Sequence, residues 1–354
     1  MANPIETLIL GASYGSLLAT KLALAGHNTT LVCLPAEVEA INRDGALVRL
    51  PVKGREAPVE IDSRKLPGKL RAAGPAEVKP AAFDLIALAM QEPQYRGVRE
   101  LLEAVAKSGR PCMSIMNMPP LPYLARIPGL DTKALAGCFA DATVWQSFDP
   151  KLMTLCSPDP QAFRPPDQPV NVLQVTLPTN FKVARFDDEG HTRILRRMQD
   201  DIEAARFDAG GGARIELPVK LKLHDSIFVP LAKWAMLLTG NYRCVQKDAM
   251  RPIKEAVHSD PAASRAIYDW VKALCVELGA KPDDLVPFEK YAEAAGGLVR
   301  PSSAARALAN GAPNIERVDR LVQAIAKQRG KRLPAIDAIV ETVDGWLAKN
   351  RQKA

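Results

Sequence analysis

Two stretches of this sequence carry residues whose types and spacing can do chemistry. The first is Gly11-Ala12-Ser13-Tyr14-Gly15-Ser16, between the apolar run IETLIL and the segment SLLATKLALA. Small residues between a strand and a helix let backbone N–H groups approach an anion at the helix N-terminus, and Ser13 adds a hydroxyl. The spacing is one residue short of GxGxxG, and Ser13 stands where its second glycine would be. Two readings follow: a phosphate cradle, or a tight strand–helix turn that holds nothing. The second stretch centres on Lys233, set among Phe228, Val229, Leu231, Trp234 and Met236. A partly buried ammonium, its pKa drawn towards neutrality, can protonate a carbonyl oxygen as negative charge builds there. The other reading is a lysine snorkelling at a helix edge. Asn241, eight residues on, shares roughly the same helix side about 12 Å along the axis, at 1.5 Å per residue. It either bridges to a ligand or caps the helix after Gly240.

The elements that must position these groups follow from apolar periodicity. Strands are expected at 5–10, 29–33, 84–90 and 112–116, with helices at 16–25, 36–43 and 96–108 between them. Such alternation argues for a parallel, doubly wound, Rossmann-like sheet, whose doubly covered strands are continuously apolar. Asn117 then follows a strand at its C-terminal end, where such sheets bind ligands, or simply turns the chain ahead of Pro119-Pro120. The stretch 140–220 holds strand-like pieces at 170–176 and 181–186, a helix at 191–206 and a turn at Gly210–Gly212. It reads as the tail of the first domain, with a proline-rich insertion around 146–170. Helices are expected at 224–242, 261–279, 286–296, 302–310, 315–328 and 335–348, with Pro334 in the first turn of the last. The layout is therefore an α/β domain over 1–220 followed by an all-α domain over 221–354.

Composition excludes several classes. The chain has 354 residues, 47% hydrophobic and 25% charged, and no apolar run nears the ~20 residues that span a bilayer. A net charge of +7 without a Lys/Arg run argues against a nucleic-acid surface and leaves room for an anionic ligand. The six cysteines are scattered among apolar neighbours, as reduced thiols of a cytoplasmic protein would be. The four histidines show no metal-ligand spacing, so no metal is expected. A dinucleotide fold selects its cofactor near the end of its second strand, and here LVC-Leu34-Pro35 offers no charge at that point.

Along nearly its whole length the chain resembles the ketopantoate reductase (2-dehydropantoate 2-reductase) family. LPAEVEAINRDGALV is similar to the family's REHVEAIxxxGL, with Leu34 at the arginine that favours NADPH. ALAMQEPQ is similar to VKxxQ, with Gln91 at the lysine and Gln94 at the glutamine, and SIM-Asn117-Met118 is similar to LQNG. SIFVPLAKWAMLLTGNYRC resembles WxKLxxNxxxN, which places Lys233 on the lysine, Leu237 on the first asparagine and Asn241 on the second. Pro301-Ser302-Ser303 resembles the SSM segment, whose serines contact substrate; the same pair can also cap a following helix. IERVDRLVQAIAKQRGKRLPAIDAIV is similar to EIDxLNGxVVxxGxxxGVPTPxNxxL, with Arg317 in register at the substrate-binding glutamate and Glu316 one residue earlier.

The resemblance implies a Rossmann-like domain followed by a helical domain like the C-terminal domain of 6-phosphogluconate dehydrogenase. It implies hydride transfer to a small 2-oxo acid in an interdomain cleft, with NADP, or NAD, as cofactor and a homodimer as a suitable assembly. Gly11, Ser13, Tyr14, Gly15, Ser16, Met90, Gln91, Gln94 and Asn117 would hold the cofactor. Lys233 would be the general acid, with Asn117 and Asn241 beside it, and Asn241, Ser302, Ser303 and Glu316 would meet substrate. Two other functions compete. An opine-type dehydrogenase would use the adjacent pair His224-Asp225, and a non-catalytic dinucleotide or metabolite sensor would suit the departures in the glycine turn and the missing cofactor-selecting charge.

Overall fold

The computed structural model describes residues 3–210, 212 and 214–353, so Gly211 of the expected Gly210–Gly212 turn lies outside the described residues. The chain forms two compact units. Unit 1 comprises the chain up to Met90, Gly97–Met116 and Ser147–Asp225; unit 2 comprises Gln91–Arg96, Asn117–Gln146 and the chain from Ser226 onward. The boundary near 225 lies close to the expected 220. The segment 117–146 groups with the helical unit rather than with the sheet.

In chain order the strands of unit 1 are β1 (Glu6–Leu10), β2 (Asn28–Val32), β3 (Leu47–Leu50), β4 (Val59–Asp62), β5 (Leu70–Ala73), β6 (Leu85–Leu88) and β7 (Cys112–Ile115). They continue with β8 (Met153–Ser157), β9 (Gln161–Phe163), β10 (Val172–Leu177), β11 (Phe181–Ala184), β12 (Phe207–Asp208), β13 (Arg214–Ile215) and β14 (Leu221–His224). Eight of them form one sheet in the order β14-β11-β8-β7-β6-β1-β2-β5, parallel except where β11 meets β8. A smaller sheet runs β4-β3-β10-β9. Apolar composition explains the large sheet: β6, β7 and β8 are buried at every residue, as strands covered on both faces must be. β8 falls inside the proline-rich stretch 146–170 expected as an insertion. Its polar residues disguise a central strand, and Thr154 is accommodated there by donating to the Ala184 carbonyl at 2.6 Å.

Strand order reverses between β1 and β6, and α/β sheets bind ligands at the C-terminal ends of the strands at such a switch. Helix α1 (Tyr14–Leu24) packs on these strands and is buried from Gly15 to Leu24. Even Lys21 is buried, with Nζ donating to the carbonyls of Leu217 and Pro218, both at 3.1 Å. Burial lowers its pKa to about 8. Helices α2 (Pro35–Asp44), α3 (Arg99–Lys107) and α5 (Glu189–Ala204) complete this unit; the short α4 (Leu121–Leu124) belongs to unit 2. Among the described residues no helix is long and apolar enough to cross a membrane.

Unit 2 is helical, but the helix expected at 224–242 is not continuous. Its first residue, His224, ends β14 in unit 1. A 3-10 turn at Val229–Ala232 then leads into α6 (Lys233–Met236) and a π-helical turn at Leu237–Asn241, where the Tyr242 N–H returns to the Leu237 carbonyl. Packing against α7 (Ile253–His258) and α9 (Phe288–Ala295) accounts for the irregularity. A Cβ on Gly240 would overlap the Tyr291 hydroxyl, which itself donates to the Met236 carbonyl at 3.0 Å. Glycine therefore fits here because a side chain from another helix takes its space. The other helices are α8 (Pro261–Leu278), α10 (Ser303–Ala309), α11 (Val318–Gln328) and α12 (Pro334–Arg351), the last with Pro334 in its first turn.

Gly240→Ala should destabilise the protein by about 1–3 kcal/mol through overpacking, despite alanine's better helix propensity. The cost should shrink in a Tyr291→Phe background, where the overlapping oxygen is gone. Urea unfolding of the four proteins checks this; an equal cost in both backgrounds would exclude the overlap as its cause.

Candidate functional site

In unit 1 the glycine turn lies at the sheet's switch point. β1 ends at Leu10, and Gly11 follows with φ +103°, a left-handed conformation that favours glycine. A Cβ there would stand 2.8 Å from both the Ala89 carbonyl oxygen and Met90 Cγ, so the turn runs hard against the end of β6. The Gly11 N–H donates to the Val32 carbonyl at the end of β2, at 2.8 Å. Gly15 is needed for a different reason: a Cβ would stand 2.9 Å from Ile9 and 3.2 Å from Leu31, where α1 seats on the sheet. Ser13 precedes α1 without capping it through its side chain, and the first turn holds no acidic residue. Tyr14 packs half-buried against the unit 1 core, and the buried Ser16 hydroxyl donates to the Ala12 carbonyl. Small residues between β1 and the N-terminus of α1, with no repelling carboxylate in the first turn, make this turn fit a dinucleotide diphosphate.

In unit 2 three distant stretches meet at one carboxyl group. Glu316 accepts from Asn117 Nδ2 at 3.2 Å and from the Glu92 N–H at 3.4 Å, with a further backbone bond at Met118. The positive charge of Lys233 acts on the same carboxyl. Burial outweighs these contacts and pushes the Glu316 pKa up to about 7. Glu92 is itself buried, its carboxylate held by the Ala140 N–H at 3.1 and 3.2 Å, and burial with Glu316 nearby raises it to about 7 as well. Asn117 Oδ1 is buried with no hydrogen-bond partner, a polar atom left facing the site. The Tyr242 hydroxyl bonds the Glu316 carbonyl and accepts from the Val318 N–H at 3.0 Å, which fixes the chain on both sides of residue 317.

The two candidate residues of the last motif have different surroundings. Arg317 is buried and holds Asp319 at 2.8 and 2.9 Å and Asp344 at 2.5 Å, a structural ion network. Glu316, one residue earlier, bonds Asn117 and feels the charge of Lys233. Ser302 caps α10 by accepting from the Ala305 N–H at 3.1 Å and donates to the Asn241 carbonyl at 2.7 Å, whereas Ser303 is exposed. Asn241 ends the π-helical turn, half-buried. Met90 belongs to unit 1 and Gln91 and Gln94 to unit 2, where the Gln94 amide oxygen accepts from the Gln91 N–H at 2.9 Å. His224 lies on the edge strand β14 with Asp225 exposed beside it. Glu92 escaped the sequence reading although it sits inside ALAMQEPQ, because an acid at a strand end matches no motif position. Among the described residues no group of three or more metal-ligating side chains is gathered.

No family model matches the chain, and no curated protein matches it in sequence. Solved structures match it in fold. D-mandelate dehydrogenase, in a ternary complex with NADH and anilino(oxo)acetate, aligns over 98% of this chain and 99% of its own, with a TM-score of 0.66 and 13% identity. The 2-dehydropantoate 2-reductase of Methylococcus capsulatus aligns over 98% and 97%, with a TM-score of 0.65 and 14% identity. The dimeric ketopantoate reductase of Staphylococcus aureus aligns over 98% and 100%, with a TM-score of 0.62 and 11% identity. The chain thus has the ketopantoate reductase fold, the doubly wound sheet and helical unit expected from the resemblance.

The two raised carboxyls have a consequence for stability. Folded, Glu92 and Glu316 keep their protons up to about pH 7, whereas the unfolded chain releases them near 4.5. The folded state therefore binds more protons across that interval, and stability falls as pH rises through it, by up to about 1.4 kcal/mol per pH unit for each group. Glu92→Gln should flatten the decline. Urea unfolding at pH 5.5 and 7.5 checks this, and a variant with the wild-type slope would show that Glu92 ionises normally.

Proposed function

We propose that this chain is a nicotinamide dinucleotide-dependent oxidoreductase that reduces a small 2-oxo acid of the 2-dehydropantoate type. The observation that carries this reading is the convergence of Asn117, Lys233 and the Glu316 carboxyl in unit 2. Independent support comes from the glycine cradle of unit 1 and from a fold shared with reductases and dehydrogenases of 2-oxo and 2-hydroxy acids. Unit 1 would act as the dinucleotide-binding domain, through Gly11, Ser13, Tyr14, Gly15, Ser16 and Met90. Gln91, Gln94 and Asn117 would complete the cofactor contacts.

The dinucleotide, when bound, supplies the hydride. The remaining work falls to side chains. As hydride reaches the carbonyl carbon, the C=O π pair moves to oxygen, and the Lys233 ammonium neutralises that charge and gives up a proton, so the 2-oxo acid becomes the 2-hydroxy acid. Asn117 and Asn241 would position the reactants, and Ser302, Ser303 and Glu316 would engage the substrate. A Glu316 carboxyl poised near neutrality can hold or release a proton beside Lys233 without leaving a permanent buried charge. A cytoplasmic homodimer belongs to the same proposal; the Staphylococcus aureus structure is described as dimeric.

Lys233→Met should lower kcat/KM for 2-oxo acids by about 10²–10⁴-fold while the rise in Tm on adding a dinucleotide persists. Turnover within a few-fold of wild type would remove Lys233 from the chemistry. No rise in Tm with NADH, NAD, NADPH or NADP would remove the dinucleotide instead.

A further inference from the structure

One ion pair in unit 1 joins a residue outside every motif, Arg164, to Glu37 just beyond the end of β2. Arg164 follows β9 in the smaller sheet. Its Nη2 donates to the Ala12 carbonyl, inside the glycine turn, at 3.0 Å, and its Nη1 pairs with the Glu37 carboxylate. The second Glu37 oxygen accepts from the Leu34 N–H at 2.8 Å, which pins the carboxylate just beyond the end of β2. Neither side chain is free in solvent: Glu37 is 12% exposed and Arg164 25%. Leu34, by contrast, is 69% exposed and carries no charge. The neighbouring Cys33 thiol is neutral, since burial raises it to about 11.

In a dinucleotide fold the end of the second strand meets the adenosine ribose, where the protein distinguishes a 2′-hydroxyl from a 2′-phosphate. We infer that Glu37 and Arg164 form a charge-neutral selector that accepts the ribose diol of NAD(H) and disfavours the 2′-phosphate of NADP(H). The inference rests on reading the glycine turn as a dinucleotide cradle.

A 2′-phosphate brings close to two negative charges and needs a cation that is not already matched. Arg164 is matched by Glu37, and recruiting it would leave a largely buried carboxylate beside the phosphate. A ribose diol asks for no such exchange. Glu37 uses one lone pair for Leu34 and one for Arg164, and a carboxylate has about four acceptor positions, so a hydroxyl can donate to it with the pair intact. The arginine that the resemblance associates with NADPH is replaced by Leu34, and the positive charge supplied from β9 is cancelled where it arrives.

Calorimetric titration of the full chain with NADH and NADPH tests the selector without any turnover. Wild type should bind NADH at least ten-fold more tightly. Glu37→Gln, whose amide oxygen can still accept from Leu34, should free the guanidinium and narrow or invert that ratio at least ten-fold. Arg164→Gln, which leaves the carboxylate uncompensated, should widen it. A wild-type ratio near one or favouring NADPH overturns the selector, as does a ratio that neither substitution moves. Failure to bind either dinucleotide is a different result, since it removes the cradle itself along with the selector.

Discussion

A carboxyl group taken out of water must be answered by donors or by a proton, and unit 2 is arranged around one such group. Glu316 is answered from three directions in sequence: the Asn117 amide, the Glu92 backbone and the charge of Lys233. Those answers do not fully offset desolvation, so the group sits close to its proton-exchange point. A second buried carboxyl, Glu92, shares the strain, because two such groups close together cannot both ionise cheaply. Arg317 and Asp319 are arranged differently: the two charges are paired directly at 2.8 and 2.9 Å in an ion network that also takes in Asp344. Residues 316 and 317 differ accordingly: the Glu316 carboxyl is held mainly by neutral donors, whereas the Arg317 guanidinium is paired with two carboxylates.

Much of the scaffold is legible in apolar pattern. β1, β6 and β7 are short, mostly apolar runs because both faces of the sheet are covered, and the later helices declare themselves by period and by Pro334. β8 hides because Met153–Ser157 mixes apolar and polar residues in a proline-rich stretch; its place depends on β7 and β11, which lie elsewhere in the chain. The break at Gly240 hides for a similar reason. Nothing local marks a π turn there, and the Tyr291 hydroxyl that takes up the Met236 carbonyl and the space beside Gly240 comes from another helix. Local pattern reports which residues are buried, and tertiary contact decides in what geometry.

The site divides along the same line. Lys233, Asn117 and Glu316 were reachable through a resemblance that matched motifs in order along the chain. Glu92 and Arg164 were not, since each matters through a partner far away in sequence: Ala140 and Glu316 for the one, Ala12 and Glu37 for the other. An arginine missing from the end of β2 looked like an absent charge. In the folded chain a positive charge reaches that place from another sheet, already matched by an acid.

This pattern bears on how a shared fold should be weighed. Identities of 11–14% over essentially whole chains preserve backbone geometry while most side chains change, which is possible because buried strands need only apolar volume and correct period. A glycine whose absent Cβ makes room for a neighbouring strand end has no such latitude, and neither has a buried carboxyl whose donors come from separate segments. Gly11 and Glu316 are residues of that kind. Function lives in sites carried by folds, so residues under constraints of this kind weigh more than the shared backbone does. Gly11 is fixed by close packing of a turn on a strand end, and Glu316 is a buried acid held at the edge of ionisation.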